Sequence, residues 1–239
     1  MIACVLQTRL NRSTLALILN IDTATSTGSV CLSRDGRVLQ TLVNDKQQDH
    51  AATMVVYVER ILAEQGIRPS ELDAVAVSAG PGSYTGLRVG VATAKGLCYT
   101  WEKPLLAIST LQLMAQGMHA AGHPEVDLYC PMLDARRMEV FTALYDTAIS
   151  VVLAPQALIL DEHTFAAELA QQRILFFGDG SMKWKTLSGE PAHALFADYT
   201  ISAEHMIPLS EAAFSREEYA DVAYFSPYYL KPFFHPQRR

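Results

Sequence analysis

Apolar runs about one strand in length alternate with helical patterns along the first half of the chain. Residues 15–21 form an apolar run that predicts a buried strand, and the polar segment 22–28 separates it from a second strand over 29–33. The pair Asp35-Gly36 then predicts a tight turn into a third strand over 38–43. Three consecutive strands joined in this way predict an antiparallel meander.

Two helices in this half are apolar on more than one side. Asp49 is the predicted N-cap of a helix that runs to about residue 65, and residues 54–58 are five apolar residues in a row. The second helix covers about 87–99 and carries Arg88 and Lys95 as its only charges. A helix that is apolar on more than one side is covered on more than one side. Something besides a sheet is therefore expected to cover the first helix. For the second helix, either the core of a single lobe or a partner helix could supply the packing.

The second half repeats the layout of the first. After a short strand at 105–108, Ser109 and Gln112 form a predicted capping box that opens a helix ending near Gly122. Strands over 128–133 and 139–145 flank a polar turn at 134–137, which repeats the strand, turn and strand of residues 15–32 as a weak internal repeat. A further strand is predicted at 173–177. The pattern predicts an α/β protein of two lobes with mixed sheets.

Composition narrows the function classes. The chain has 239 residues, with 19 basic and 25 acidic side chains and a net charge of −6, which argues against a stand-alone nucleic-acid binder. Half of the residues are hydrophobic, which excludes a disordered chain. The four cysteines are widely spaced and form no CxxC pair, so reduced thiols in a cytoplasmic protein are expected. No apolar run approaches the length of a membrane span, and residues 1–14 are predicted to be an N-terminal extension.

Several segments could carry chemistry, and each has a second interpretation. The loop 80–86 could hold a phosphate or could be a tight strand-to-helix turn, which is favoured because neither the P-loop nor the dinucleotide pattern is met. The turn 22–25 could hold phosphate oxygens. Arg136 and Arg137 could clamp an acidic group or could be a solvated turn. His119 and His123 have metal-ligand spacing, but Gly122 ends the helix between them.

Four segments in order resemble the bacterial TsaB (YeaZ) family. They are Ile21-Asp-Thr-Ala-Thr25, Ala79-Gly-Pro-Gly-Ser-Tyr-Thr-Gly-Leu-Arg-Val-Gly90 with the following residues 92–96, Ile108-Ser-Thr-Leu111, and Leu133-Asp-Ala-Arg-Arg137 with residues 139–140. The match runs from about residue 17 to residue 230, and residues 80–96 are its most specific part. The chain reads His-Ala-Ala at residues 50–52, where the family usually carries His-Ser-Glu.

The resemblance implies an actin-like ATPase (ASKHA, ribonuclease H-like) fold with an N-terminal lobe at 15–118 and a reduced C-terminal lobe at 119–239, whose last segment docks back on the first lobe. It implies a role in forming N6-threonylcarbamoyladenosine next to the tRNA anticodon. In that role the chain is a non-catalytic partner of TsaD, the catalytic paralogue, together with the small ATPase TsaE. It would contact tRNA only indirectly, bind no membrane and form a homodimer when alone.

The same resemblance implies that the chain has no catalytic residue and no metal. TsaD-like members carry a metal-binding HxxxH motif where this chain has Thr110 and Met114. A vestigial phosphate site is expected at four residues of the first turn and the glycine-rich loop, with at most weak nucleotide binding at the partner interface and no other cofactor. These four residues are Asp22, Thr23, Gly80 and Gly82.

In the family, the helices of the N-terminal lobe pair with the same helices of TsaD or of a second TsaB. The corresponding interface is predicted at Met54, Val55, Val56, Val58, Leu87, Val91, Ala94, Lys95 and Cys98. One alternative is an independent enzyme, either an actin-like ATPase or kinase or a metallopeptidase-like protein. Another is a homodimeric, chaperone-like binder outside tRNA biology.

Overall fold

The computed structural model describes residues 16–45 and 50–231, so the predicted extension at 1–14 and the predicted cap at Asp49 lie outside the described residues. Ten strands and six α-helices are described, with two short 3-10 helices at Pro69–Glu71 and Ala203–Met206. In chain order these elements are β1 (Leu17–Asp22), β2 (Gly28–Arg34), β3 (Arg37–Asn44), α1 (His50–Glu64), β4 (Ala74–Gly80), α2 (Tyr84–Trp101), β5 (Leu105–Ser109), α3 (Thr110–Ala120), β6 (Leu128–Asp134), β7 (Glu139–Asp146), β8 (Val151–Ile159), α4 (Ala166–Leu169), β9 (Ile174–Phe177), α5 (Ser181–Ser188), β10 (Ala194–Ala197) and α6 (Ile207–Ser215).

The weak internal repeat predicted from the sequence is a duplicated sheet. The first sheet has the strand order β3-β2-β1-β4-β5, and the second has the order β8-β7-β6-β9-β10. In each sheet the first three strands along the chain form an antiparallel meander. The fourth strand pairs in parallel with the first, and the fifth pairs in parallel with the fourth. Both sheets are mixed, as predicted.

The second lobe is reduced in its connecting helices. In the first lobe, α1 and α2 have 15 and 18 residues. The helices at the corresponding positions of the second lobe, α4 and α5, have 4 and 8 residues. The second sheet therefore has much less helical cover than the first.

The core consists of three apolar layers, one within each lobe and one between the lobes. One layer lies between the first sheet and helices α1 and α2, and another lies between the second sheet and the short helices α4 and α5. The middle layer joins the lobes, because α3 packs Leu111 and Met114 among side chains of both sheets. Ser109 accepts a hydrogen bond from the Gln112 N–H at 3.5 Å and so caps α3, which is the Ser109 half of the predicted capping box.

The final described residues return to the first lobe. Helix α6 and the 3-10 helix before it contact β1, β2 and β5. Residues 220–231, named the C-terminal strap here, begin with a bridge between Ala220 and Leu105 at the edge of the first sheet. Further along the strap, the Tyr228 N–H donates to the Ala79 carbonyl at 2.6 Å. Within residues 16–45 and 50–231, no helix is long and apolar enough to cross a membrane.

Candidate functional site

The first turn places two of the predicted phosphate residues inside the lobe. Asp22 and Thr23, at the end of β1, are fully buried. One carboxylate oxygen of Asp22 accepts from the Ala24 N–H at 3.3 Å, and the other, Oδ2, has no partner among the described residues. Burial raises the pKa of Asp22 to about 6, although hydrogen bonds from Ser78 and two backbone amides oppose the rise. Burial therefore destabilises the charged form of this carboxylate, and none of the side chain is exposed where a ligand could contact it.

The glycine-rich loop packs on this turn. A Cβ at Gly82 would overlap the Ala24 carbonyl oxygen, and a Cβ at Gly86 would overlap the Thr23 carbonyl oxygen. At Gly80, which has φ +109°, a Cβ would lie 2.5 Å from the Tyr228 carbonyl oxygen of the strap. Gly82 and Gly86 let the start of α2 sit directly on the first turn, and Gly80 lets the strap approach the end of β4. This packing supports the tight-turn interpretation of the loop.

A cleft of about 580 Å³ opens between the lobes. The first lobe supplies Thr25 and Ser26 and the residues before α2, the second lobe supplies the β6–β7 turn, and the strap forms a further wall. Its charged lining residues are Asp134, Arg136, Asp179 and Lys231, so acidic and basic groups are balanced there. Of the four predicted phosphate residues, only Gly82 is in the lining.

The second turn is built from arginines in the left-handed region. Arg136 and Arg137 have φ values of +69° and +51°, and both are exposed. Asp134 holds the turn because its carboxylate accepts from the Arg136 N–H at 2.5 Å and from the Lys183 ammonium at 2.5 Å. Burial raises the pKa of Asp134, but Lys183 and Arg136 outweigh it, so the pKa is lowered overall. The turn is thus fixed by Asp134 together with Lys183 of α5.

The two positions that the resemblance sets against the HxxxH motif of TsaD-like members lie in the core. Thr110 and Met114 are buried one turn apart on α3. The Thr110 hydroxyl has no partner within the described part of the chain, and the Met114 methyl group lies against Gly178. Across residues 16–45 and 50–231, no three His, Cys, Asp or Glu side chains cluster as a metal site would require. Helix α3 ends at Ala120, and His119 contacts the Tyr129 hydroxyl at 3.3 Å.

The predicted interface needs a correction at most of its positions. Val55 and Val56 are exposed, at 42% and 55%. Six other predicted residues are buried in the core of the first lobe and cannot contact a partner in this structure: Met54, Val58, Leu87, Val91, Ala94 and Cys98. They occupy the stripes of α1 and α2 that face the sheet, because residues three or four positions apart share one face of a helix. Apolar character alone could not tell the inner stripe from the outer one.

Lys95 faces the strap. Its ammonium donates to the carbonyl oxygens of Ala223 at 3.1 Å and Phe225 at 2.8 Å. This predicted interface residue therefore holds another part of the same chain beside α2.

The outer face of α2 contains residues of the predicted interface helix that were not named among its individual positions. Ala92, Gly96 and Tyr99 are exposed on it, and Val89 is half-buried. On α1, the exposed Ala52, Val55, Val56 and Ala63 share one stripe with the exposed Glu59. These small and apolar residues of α1 and α2 are together named the helical face here. A signal for it was present in the sequence as the spacing of Val89, Ala92 and Gly96, but the inner glycines of the same helix obscured it.

Comparisons with known proteins give a consistent result. A protein-family model described as "TsaD: tRNA N6-adenosine threonylcarbamoyltransferase" matches residues 38–213. The chain is 31% identical over 220 residues to the tRNA threonylcarbamoyladenosine biosynthesis protein TsaB of Bacillus subtilis (strain 168), and the match covers 90% of this chain and 93% of that protein.

Solved structures agree with the sequence comparison. YeaZ from Pseudomonas aeruginosa superposes with a TM-score of 0.75 at 27% identity, covering 90% of this chain and all of that chain. The inorganic polyphosphate/ATP-glucomannokinase from Arthrobacter sp. strain KM superposes with a TM-score of 0.50 at 10% identity over 84% of this chain and 99% of that one, which is a likeness of fold alone. The resemblance and the actin-like ATPase fold predicted from the sequence are confirmed.

Proposed function

The chain belongs to the TsaB family of tRNA threonylcarbamoyladenosine biosynthesis proteins, and from this premise we propose that it is the non-catalytic partner that a TsaD-type transferase needs in order to modify tRNA. Family membership places the chain in this biosynthesis. The proposal adds that the partner performs the transfer, that a TsaE-type ATPase joins the pair, and that this chain supplies the surface that holds the transferase active. Its setting would be the cytoplasm, and its contact with tRNA would be indirect.

Gly96 on the helical face is the observation that carries the proposal. Glycine in a helix interior costs about 1 kcal/mol relative to alanine, and a residue kept at that cost needs a reason. Gly90 has one inside the lobe, because a Cβ there would overlap the Thr23 hydroxyl oxygen. A Cβ at Gly96 would meet nothing within 4 Å. The close approach of a second backbone from outside would account for Gly96.

The family relationship supports a TsaD-type protein as this partner. The TsaD family model matches residues 38–213, which include α1 and α2. A TsaD-type protein is thus expected to present a corresponding pair of helices. Two related lobes can pair through like surfaces about an approximate two-fold axis, as identical subunits do in an isologous dimer. By the same argument a second copy of this chain would occupy the face when no transferase is present.

The donor chemistry at α3 supports the non-catalytic part of the proposal. The transferase positions implied by the resemblance are histidines, whereas this chain places a hydroxyl at Thr110 and a thioether at Met114. A thioether is a soft ligand that suits soft metals such as Cu(I), and a single neutral hydroxyl is a poor substitute for imidazole. Met114 also fills the space against Gly178.

The test is reconstitution of threonylcarbamoyl transfer to tRNA by the TsaD-type protein, with and without this chain. Ala92→Arg places a long charged side chain on the exposed helical face and is expected to abolish both co-purification and activation. Ala167→Arg is the matched control, because Ala167 is exposed on α4 of the second lobe. The substitution Ala94→Arg is unsuitable, since Ala94 is fully buried and the variant would disrupt the lobe itself.

Two results would overturn the proposal. One is full activation of the transferase by the Ala92→Arg chain at stoichiometric concentration. The other is transfer of the threonylcarbamoyl group, or turnover of ATP, by this chain in the absence of any partner.

A further inference from the structure

The C-terminal strap is fastened along one side of α2. The Ala220 N–H donates to the Leu105 carbonyl at 2.9 Å, which fixes the start of the strap to the first sheet. Lys95 then holds the carbonyls of Ala223 and Phe225, and the Tyr228 N–H is bound to the β4 end. The strap is therefore attached to the first lobe at three successive points.

Tyr224 lies within the most tightly held part of the strap, yet its side chain points into solvent. The Asp221 carboxylate accepts from the N–H groups of Ala223 at 2.8 Å and Tyr224 at 3.0 Å, and the Phe225 N–H donates to the Asp221 carbonyl at 2.8 Å. Val222 and Phe225 pack against the core of the first lobe. Tyr224, between them, is 87% exposed. A fixed backbone thus displays an aromatic ring that the lobe itself hardly covers.

The position of this ring is beside the helical face. Lys95, which holds the carbonyls on both sides of Tyr224, lies on α2 one position before Gly96 and three after Ala92. Tyr99, one turn further along α2, is 83% exposed. These two tyrosines are the most exposed large hydrophobic side chains in the part of the chain that the structure describes. Small residues on α2 are therefore bordered by projecting aromatic rings at one end.

The other end of α2 has an aromatic border as well. Tyr84, at the start of the helix, lies with its ring centroid 5.1 Å from that of Tyr229 in the strap. Both side chains are partly exposed, at 37% and 41%. The strap therefore follows α2 over most of its length and contributes to the same side of the lobe as the helical face.

We propose that the strap is the second half of the partner surface and that Tyr224 is its anchor, which inserts into a TsaD-type partner docked on the helical face. This inference rests on the proposed function. Tyrosine is enriched among the residues that dominate interface energy, since it buries a large area with few rotatable bonds and keeps a polar end for a hydrogen bond. Its backbone is already held in place, so ordering it on association costs little.

The experiment measures the dissociation constant between this chain and the TsaD-type protein by titration calorimetry. Tyr224→Ser is expected to weaken binding by at least about tenfold, as removal of an interface anchor does. Tyr224→Phe, which keeps the ring, is expected to retain most of the affinity. Ile159→Ser is the matched control, because Ile159 is 72% exposed on the edge strand of the other lobe. Thermal unfolding of the three variants checks that the fold is intact.

The Ala92→Arg variant, measured in parallel, separates the two proposals. Weakening by both Ala92→Arg and Tyr224→Ser, with no effect of Ile159→Ser, supports the strap as part of the surface. If Ala92→Arg abolishes binding but Tyr224→Ser binds as tightly as the unsubstituted chain, the strap proposal is overturned and the helical face stands. If neither weakens binding, both are overturned. Hydroxyl-radical footprinting adds a direct readout, since Tyr224 is expected to become protected in the complex.

Discussion

Replacing Asp22 with asparagine should stabilise the folded chain at neutral pH and have less effect in acid. Asparagine keeps the carbonyl oxygen that accepts from the Ala24 N–H, while it removes the charge from a fully buried position. The pKa of Asp22 is raised from its ordinary value of 3.8 to about 6, because burial penalises the carboxylate. The folded chain therefore binds the Asp22 proton more tightly than the unfolded chain does.

The size of the effect follows from linkage. A difference between 3.8 and about 6 in pKa corresponds to about 3 kcal/mol at 1.36 kcal/mol per pKa unit. Below pH 3.8 the group is protonated in both states and the penalty is absent. It grows as the pH rises from 3.8 to about 6 and is complete above that. At about pH 4.5 the same two pKa values leave about 1 kcal/mol of penalty, and at about pH 7.5 they leave about 3 kcal/mol.

Urea denaturation followed by circular dichroism at these two pH values gives the free energies of unfolding of both proteins. The stability difference between the Asp22→Asn variant and the parent chain should increase by about 2 kcal/mol between the acidic and the neutral condition. The comparison across pH cancels any constant effect of the amide group on packing. A stability difference that is the same at both pH values, or that is smaller at the higher one, would refute the assignment of a raised pKa to Asp22.

Three further substitutions test inner and outer features of the fold. Gly90→Ala should lower the free energy of unfolding by about 1–3 kcal/mol, because its Cβ would overlap the Thr23 hydroxyl. Gly96→Ala should instead raise the free energy of unfolding by about 1 kcal/mol, and it should weaken binding to the transferase. If urea denaturation gives the same change in the free energy of unfolding for Gly90→Ala and Gly96→Ala, this distinction between the two glycines is contradicted. Thr110→Val should raise the free energy of unfolding by about 1 kcal/mol, since it replaces a buried hydroxyl that lacks a partner among the described residues; a loss of stability in the same assay would indicate an undetected partner.

The strand and helix pattern of the first lobe could be predicted because its elements are long and strongly patterned. Strand β1 (Leu17–Asp22) begins within the predicted run at 15–21 and ends one residue after it. The Asp35-Gly36 pair forms a turn with φ values of +57° and +74°, as an Asp-Gly hairpin requires. In the second lobe, strand β8 was not predicted from the sequence. It contains Pro155 and is mostly half-exposed, and its pairing with β7 shifts register beside that proline. Edge strands tolerate such residues, so they lack the signal of a central strand.

The helical face could be predicted only as an excess of apolar surface. In α1 the residues Met54, Val55 and Val56 are all apolar, yet one is fully buried and two are exposed. Which stripe faces the sheet depends on how the helix is rotated against it, and that rotation is set by contacts distant in sequence. The path of the strap is also set by contacts between residues distant in sequence, because its first contact joins residues 105 and 220. Local pattern carries no information about either.

Under the proposed function, the asymmetry between the lobes favours the first lobe as the one that a partner contacts. Both sheets have the same topology, so the duplicated fold could in principle present helices on either side. Helices α4 and α5 are too short for an extended helical surface, whereas α1 and α2 provide 15 and 18 residues side by side. The inner face of α2 seals the first turn through Gly86 and Gly90. The partner proposed above would therefore dock on a helix whose inner face is already packed against Thr23.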